Sequence, residues 1–420
     1  MPAVAGACGG AGGGLRAVGD AGRPGLRPRW SGPRQRMRSR PRRCTAVGTQ
    51  LYGSIMSRTA PGSTAPTARA LVESLRGEQP VSGLSVAVAG PGRAVVDAAA
   101  VGVADARTSR TLTPETLLHA CSMSKLVAAV TVVRLWQDGA LDLYADVDDM
   151  LGSSGWSMVR PPGERVTPAH LLSHQGGIVD PPDSFAPSDP GRVWDVAALL
   201  RGETAHHAGP VVATSSPGQS FAYSDAGFCV LEQVVRAVTG RPYSAVVDEL
   251  VLEPLGLAHP EATAWATAEV GSPAVQRDRL VGDAAAVGHD ADGRVVRHER
   301  PLYPGLAAAG LWATPTALAT LLVDLLGSWH QSHGVLSAQS ARALWTAPGA
   351  VGYAALGAFL LRHGAETVVQ THGWGEGFQG VARVHLDRRT VVVAMMNTDP
   401  GVDQDSSAVG AIADAVTQQV

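Results

Sequence analysis

Apolar residues near the start of the predicted fold change from a helical to a strand-like pattern. Residues 67–77, TARALVESLRG, place apolar side chains at helical spacing and predict a short helix. Residues 83–106 contain two apolar runs separated by the turn sequence GPGR, which is typical of a β-hairpin. The predicted fold therefore begins with one helix and two antiparallel strands.

Four further β-like runs lie near the end of the chain, namely YAALGAFLLR, TVVQTHGWG, FQGVARVHLD and TVVVAMMNTD, and the helical stretch SSAVGAIADAVTQQV closes it. The patterns between the two ends are mostly helical or loop-like. The simplest arrangement is one antiparallel sheet built from both chain ends and flanked by helices. We thus predict an α+β fold, an α/β sandwich, over residues 66–418, with its sheet region at 66–120 and 310–418 and an inserted, mostly helical subdomain at about 140–305.

The first 60 residues differ from the rest in composition. They are rich in Gly, Pro, Arg and Ser and hold too few apolar residues to offset the entropy lost on ordering, so we expect a disordered basic tail. The arginines near its end resemble the charged region of an export signal, but no continuous apolar stretch of the usual length follows. Met56 is an alternative start of the chain.

Composition and charge limit the function of the remainder. Apolar residues make up 45% of the chain, enough for a large core. Residues 1–44 carry ten arginines and one acidic residue; because the whole chain has a net charge of −3, the body is acidic, which argues against nucleic-acid binding. No apolar run is long enough for a membrane span. The four cysteines form no CxxC pair, which favours a cytoplasmic location, with secretion left open.

The first candidate chemistry lies in CSMSKLVAAV, residues 121–130, which contains the single lysine of the chain, Lys125. An apolar run follows and Gly139 lies beyond it, so the stretch predicts a buried helix. Ser122 and Lys125, three residues apart, share one face at its N-terminus. Because lysine, unlike arginine, can give up its proton, the pair suits an activated serine nucleophile. Two alternatives stay open: that codon bias alone accounts for the rarity of lysine, and that Ser122 serves only as an N-cap.

Three other stretches carry polar groups at the ends of predicted elements. VTPAHLLSHQGGI, residues 166–178, predicts a helix capped by Thr167 and ended by two glycines, in which His170 and His174 are packing or surface residues. Tyr223, Ser224 and Asp225 lead into another helix. QTHGWGEGFQG, residues 370–380, sets Thr371, His372, Gly373 and Trp374 in a glycine-rich strand, where backbone can approach a ligand.

Together these stretches resemble the serine β-lactamase and penicillin-binding protein superfamily, specifically its class C-like branch. Ser122 to Lys125 match its S-x-x-K motif, Tyr223 to Asp225 fall on its Y-x-N motif, and Thr371 to Gly373 fall on its K-T-G or H-x-G strand. EPLGL and GLWATPTALATLL resemble two further landmarks in the family's order. The resemblance covers about residues 66–418 and implies a serine hydrolase, with no metal and no cofactor.

The resemblance also implies roles for the matched residues. Ser122 would be the acylated nucleophile, Lys125 its general base or proton partner, and Tyr223 a phenol that exchanges protons with Ser122 and the leaving group. The oxyanion hole would use the backbone N–H groups of Ser122 and Trp374. His372 would line the site.

Two departures from the family pattern affect the expected chemistry. Asp225 stands where the family usually has Asn. If it is ionised beside Lys125, it would raise the lysine pKa, and Tyr223 would then be the expected base. In the alternative interpretation, Asp225 only caps the helix that follows it. An ungapped match sets Thr371 at the position of the family's cationic residue, whereas a one-residue shift sets His372 there. The anchor for a substrate carboxylate is thus missing or weakened, which favours small esters, amides or peptides that lack this group.

Three functions therefore remain under consideration. Hydrolysis is the first; an acyltransferase or peptide-cyclising thioesterase would share its acyl-enzyme, and a non-catalytic ligand-binding protein would keep only the fold. The sequence does not indicate the oligomeric state.

Overall fold

The computed structural model describes residues 67–74, 81–90, 96–152, 156–187, 195–265, 282, 284–330 and 334–419. The basic tail predicted for residues 1–60 and most of the GPGR turn lie outside these residues. The division into a sheet region and an inserted, mostly helical subdomain stays a prediction.

A seven-stranded antiparallel sheet joins the two ends of the described chain. Its strands are β1 (Gly83–Ala89), β2 (Asp97–Asp105), β3 (Arg110–Thr111), β7 (Phe359–His363), β8 (Glu366–Gly375), β9 (Phe378–His385) and β10 (Thr390–Met396), in the order β3-β2-β1-β10-β9-β8-β7. The central pairing aligns Leu84 of β1 with Met396 of β10. The N-terminal hairpin and the C-terminal strands thus form one sheet, which confirms the predicted fold class.

A smaller sheet links the region before the candidate nucleophile to the second half of the chain. It contains β4 (Leu118–His119), β6 (Leu311–Ala313) and β5 (Thr263–Trp265), in that order. The sequence analysis did not predict it, because strands of two or three residues are too short to show a period of two. Trp312 in its central strand is fully buried.

The helices cover both faces of the large sheet and fill the space beside it. They are α1 (Ala68–Ser74), α2 (Ser124–Gln137), α3 (Val147–Leu151), α4 (Pro168–Leu172), α5 (Val196–Leu200), α6 (Asp225–Thr239), α7 (Tyr243–Val247), α8 (Leu306–Ala309), α9 (Pro315–Trp329), α10 (Ala338–Leu344) and α11 (Ala408–Gln419). None of the helices in the described ranges combines the length and apolar character that a bilayer crossing requires.

Alternate residues of the central strands belong to two separate apolar clusters. Val86 and Val88 of β1 pack with α1 and α11, whereas Ala87 and Ala89 belong to the larger cluster that contains α2, α6 and α9. This alternation follows from the two-residue period of a strand. Because both faces are apolar, the strands read as nearly continuous hydrophobic runs in the sequence.

Local sequence explains the two helices that matter most for the site. Helix α2 contains apolar or small residues on every side and is buried along most of its length; it ends before Gly139, which has a positive φ of 75°. Helix α6 begins after the N-cap Ser224, whose hydroxyl accepts the N–H of Gly227, and ends at Gly240 with φ 65°. Glycine adopts this left-handed conformation without steric cost. The alternative in which Asp225 caps this helix is therefore wrong, since Ser224 does so.

Candidate active site

Ser122 lies in a single 3₁₀ turn, Cys121–Met123, that connects β4 to the first turn of α2. Cys121 has a positive φ of 50°, a strained conformation for a residue with a side chain. Hydrogen bonds hold the turn: the hydroxyl of Ser124 donates to the Cys121 carbonyl over 2.7 Å and accepts the N–H of Leu311 over 3.1 Å. The backbone thus presents the half-buried Ser122 at the start of a buried helix.

The side chain of Lys125 is only 3% exposed and makes three short polar contacts. Its ammonium donates to Ser122 Oγ over 2.9 Å, to Asp225 Oδ1 over 2.5 Å and to the Ala308 carbonyl over 2.9 Å. Burial by itself lowers the pKa of Lys125, but the charges of Asp225 and Tyr223 and their hydrogen bonds raise it above the ordinary lysine value. Because the buried amine lies against the Asp225 carboxylate and its pKa is raised, Lys125 is a cation in this arrangement at neutral pH.

Tyr223 lies over the same group of atoms. Its phenol hydrogen-bonds to both Lys125 and Ser122, and the Lys125 nitrogen is 5.1 Å from the centre of the Tyr223 ring. Burial raises the pKa of Tyr223 above the ordinary value, and the positive charge of Lys125 opposes part of this increase. The structure thus brings the hydroxyl, the amine and the phenol into one hydrogen-bonded cluster.

His174, which the sequence analysis placed among packing or surface histidines, is buried directly behind Tyr223. The two rings are stacked with their centres 4.2 Å apart, and Nδ1 of His174 accepts the N–H of Ser224 over 3.1 Å. Burial, together with the charge of Lys125, lowers the pKa of His174 well below its usual value. A neutral imidazole therefore orients the phenol without adding charge.

Asp180 was missed by the sequence analysis although it holds the turn that carries Tyr223. Its carboxylate accepts the hydroxyl of Ser224 over 2.8 Å and the backbone N–H of Asp225 over 2.6 Å. Burial, and after it the negative charge of Asp225, raises the pKa of Asp180 to about 7. The segment after α4 is thereby tied to the start of α6 by a carboxyl group that titrates near neutrality.

Asp180→Asn is expected to flatten the dependence of stability on pH between about pH 4 and pH 7. The folded protein keeps the Asp180 proton up to about pH 7, whereas the unfolded chain releases it near 3.8, so this contribution to stability is complete at low pH and is lost as pH rises. An amide does not titrate. Thermal unfolding over this range, with the exposed Glu261→Gln as control, measures the effect; an unchanged decline in Asp180→Asn would contradict it.

The predicted motif Thr371 to Gly373 lies on β8, next to the turn that carries Ser122. A Cβ atom added to Gly373 would lie 2.5 Å from the Ala120 carbonyl oxygen and 3.3 Å from Cys121 Cβ, so glycine is required for this approach. Thr371 pairs with Ala382, which belongs to the apolar cluster around α2. Because directly paired residues share a sheet face, Thr371 and Gly373 lie on the face of the sheet that is covered by helix α2.

His372 points to the opposite face of the sheet. It pairs with Val381, a member of the cluster around α11, and its Nε2 lies 2.7 Å from Gln370 Nε2 and 3.8 Å from Asp405 Oδ1. The structure therefore separates this side chain from the cluster around Ser122, where the sequence analysis expected it to line the site. The indole of Trp374 donates to Asp399 over 3.0 Å.

The sequence model of the Beta-lactamase family matches residues 68–417, which is most of the chain. The chain belongs to the Beta-lactamase family. Among curated proteins, this family member is 30% identical over 167 residues to Esterase EstB of Burkholderia gladioli, in a segment that covers 38% of this chain and 41% of the esterase. The chain thus spans about two fifths of the length of the curated relatives it matches.

Solved structures place this family member in the same fold group. D-amino acid amidase from Ochrobactrum anthropi SV3, complexed with L-phenylalanine amide, superposes with a TM-score of 0.63 and 19% identity, covering 89% of this chain and 98% of the amidase. The octameric penicillin-binding protein homologue from Pyrococcus abyssi gives a TM-score of 0.62 at 19% identity, covering 83% and 77%. At 19% sequence identity, the structural likeness to these two proteins shows a shared fold and is not evidence of a shared activity.

Proposed function

We propose that this Beta-lactamase family member is a serine hydrolase that forms an acyl-enzyme on Ser122 and acts on small esters or amides. The observation that carries the proposal is the hydrogen bond between the Tyr223 phenol and Ser122, with Lys125 bonded to both and its Nζ atom 2.9 Å from Ser122 Oγ. A nucleophile within hydrogen-bond reach of its proton acceptor is the arrangement that covalent catalysis requires. The likeness to an esterase and to an amidase supports this class of reaction.

Tyr223 is the proposed proton acceptor in this reaction. Lys125 is held as a cation by Asp225 and therefore has no lone pair for the Ser122 proton. The raised pKa of Tyr223 makes its phenolate the minor form, and the Lys125 cation opposes this rise by stabilising that form. As Ser122 Oγ bonds to the substrate carbonyl carbon, its proton passes to this phenolate. The same proton then passes to the leaving alcohol or amine as the carbonyl re-forms, and water repeats the sequence to release the acid.

The proposed oxyanion hole uses the backbone N–H groups of Ser122 and Trp374. The close approach of Gly373 to Ala120 and Cys121 supports this choice, because it sets the end of β8 beside the nucleophile turn. Two N–H donors at this position would stabilise the negative charge that develops on the substrate oxygen. Thr371 and Gly373 are assigned to substrate binding, and His372 to support of the strand through Gln370.

The proposed substrates are small esters and amides without a carboxylate beside the reacting bond. Thr371, rather than a cationic side chain, occupies the strand position that faces the nucleophile helix. Arg383 pairs with Gln370 and so shares the opposite face, where its Nη1 is 2.6 Å from Asp414. A substrate carboxylate at this strand position would thus meet the hydroxyl of Thr371 rather than a positive charge.

A comparison of three substrates tests this preference. We expect a short-chain nitrophenyl ester to be turned over at least about tenfold faster, in kcat/KM, than nitrocefin or a peptide ending in D-Ala-D-Ala, since about 1.4 kcal/mol of lost charge pairing already corresponds to tenfold. Initial rates with purified protein measure the ranking. Faster turnover of nitrocefin than of the ester would overturn the substrate preference.

A second candidate, a ligand-binding protein without turnover, is favoured by one observation. The ion pair between Lys125 and Asp225 removes the neutral amine on which lysine-based activation depends. Labelling with a fluorophosphonate separates the two candidates, because only a reactive Ser122 forms the covalent adduct. Labelled protein that transfers its acyl group to an added amine, rather than to water, would instead identify an acyltransferase or a peptide-cyclising enzyme.

A cytoplasmic location also stays a prediction. Cys121 and Cys229 are free and buried, as expected of thiols in a reducing compartment, while Cys8 and Cys44 lie outside the described residues.

A further inference from the structure

A buried carboxylate that the proposed mechanism does not use lies on helix α6. Glu232 is 1% exposed and follows Asp225 by seven residues, which is two helical turns along the same face. Its Oε2 atom accepts the backbone N–H of Ala307 over 3.0 Å. Acidic side chains are almost never fully buried unless they are paired. The burial of Glu232 therefore indicates that its contact with Ala307 has a structural or functional role.

The segment that Glu232 contacts is also the segment that holds Lys125. Ala307 and Ala308 are consecutive residues of the short helix α8, and the Ala308 carbonyl accepts a proton of the Lys125 ammonium over 2.9 Å. The residue before the helix, Gly305, has a φ of 83°, and a Cβ atom there would lie 2.4 Å from Cys229 Sγ. Helix α8 is therefore pressed against α6 and anchored to it by the Glu232 carboxylate.

We propose that Glu232 is a positioning residue for Lys125: by accepting the Ala307 N–H it fixes helix α8, so that the Ala308 carbonyl completes the set of acceptors around the ammonium. The other partners of the ammonium are Ser122, Tyr223 and Asp225. Ser122 and Tyr223 exchange a proton in the proposed reaction, whereas the backbone carbonyl, like the Asp225 carboxylate, is left unchanged. It keeps the cation beside Tyr223 while the serine hydroxyl loses its proton. This inference rests on the proposed function.

Three variants test the inference. Glu232→Met has a similar volume but cannot accept a hydrogen bond, whereas Glu232→Gln retains an acceptor oxygen. Gly305→Ala displaces the same segment from the residue before α8 and keeps the Glu232 carboxylate, whose Oε2 atom would lie 3.7 Å from the new Cβ atom. A displacement of about 1 Å at a catalytic group lowers rates by up to about 10²-fold. We therefore expect Glu232→Met and Gly305→Ala to lower kcat for a nitrophenyl ester by about 10- to 100-fold with little change in KM, and Glu232→Gln to retain most of the activity.

The pH profile of fluorophosphonate labelling distinguishes positioning from general stabilisation. Losing an acceptor makes the ammonium less stable, so the upper pH limit of efficient labelling should move downward in Glu232→Met and Gly305→Ala but not in Glu232→Gln. None of the other titratable groups around the Lys125 ammonium is substituted in the three variants, although Gly305→Ala displaces the Cys229 thiol; these groups are Cys121, His174, Tyr223, Asp225 and Cys229.

Each outcome of this experiment decides the inference. Folded Glu232→Met with the wild-type rate and pH profile would refute it, and so would a lower melting temperature with an unchanged profile, which indicates a structural role only. If Glu232→Met does not fold, the other two variants give the same test. The upper pH limit of labelling should move downward in Gly305→Ala and stay at the wild-type value in Glu232→Gln. Wild-type protein that is not labelled at all would instead refute the proposed function, so the two failures are distinguishable.

Discussion

Ser122→Ala is expected to lower kcat/KM for a short-chain nitrophenyl ester by a factor on the order of 10⁵ and to abolish covalent labelling by a fluorophosphonate. Removal of the nucleophile from a serine hydrolase eliminates the acyl-enzyme route and leaves only the residual effect of binding and the oxyanion hole. Steady-state rates and gel fluorescence after labelling measure the two effects. Stability should change little, because the hydroxyl is half-buried and water can replace it as an acceptor for Lys125.

Ser124 provides a matched control two residues away, at the first position of α2. Its hydroxyl bonds to the Cys121 carbonyl and to the Leu311 N–H, and it makes none of the contacts that define the cluster around Lys125. Ser124→Ala should therefore lower the melting temperature while labelling persists. Labelling that survives in Ser122→Ala but disappears in Ser124→Ala would show that Ser124, not Ser122, is the nucleophile.

Local spacing explains why part of the site could be predicted from the sequence. Ser122 and Lys125 are three residues apart, and the geometry of a helix places such residues side by side whatever the rest of the fold does. The pairing of Lys125 with Asp225 spans 100 residues and was reached only through the resemblance to a family. The strands of the large sheet and the terminal helices could be predicted because their apolar runs are long. The three-residue strands β5 and β6 could not, because they are too short to show a pattern.

Polar residues buried by tertiary contacts explain most of what the sequence missed. The partners of Asp180 and Glu232 lie 45 and 75 residues away, so no local pattern identifies them. Glu232 does interrupt the apolar face of α6, and such an acidic residue among buried valines and leucines is a sign of a paired carboxylate. The orientation of His372 was missed because β8 is buried on both faces, so no polar alternation distinguishes them.

The substitution of Asp for Asn at position 225 changes the electrostatics of the whole cluster. An amide at this position would leave Lys125 with a neutral acceptor, and burial would then favour the free amine. With Asp225 the lysine is kept as a cation, and in the proposed mechanism Tyr223 therefore accepts the serine proton. The carboxyl of Asp180 adjoins this pair and is kept largely protonated below about pH 7, which limits the negative charge beside the active cluster.

Lys125→Met is expected to lower kcat/KM for the ester by a factor on the order of 10³ and to lower the free energy of unfolding by about 3 kcal/mol. The rate falls because the phenolate of Tyr223 loses its counter-charge in a water-poor site. Stability falls because Asp225 is left charged without a partner; the expected value lies at the low end for a broken buried pair, since the Asp225 side chain is 23% exposed. Steady-state rates and denaturant unfolding measure the two quantities.

The double variant Lys125→Met with Asp225→Asn separates the two effects of the lysine. Replacing the unpaired carboxylate by a neutral amide removes the buried charge, so the free energy of unfolding should return most of the way to the wild-type value. The rate should stay low, because the cation beside Tyr223 is still missing. Recovery of both stability and activity would mean that Lys125 serves only to neutralise Asp225, and the assignment of Tyr223 as a base activated by the lysine charge would then be wrong.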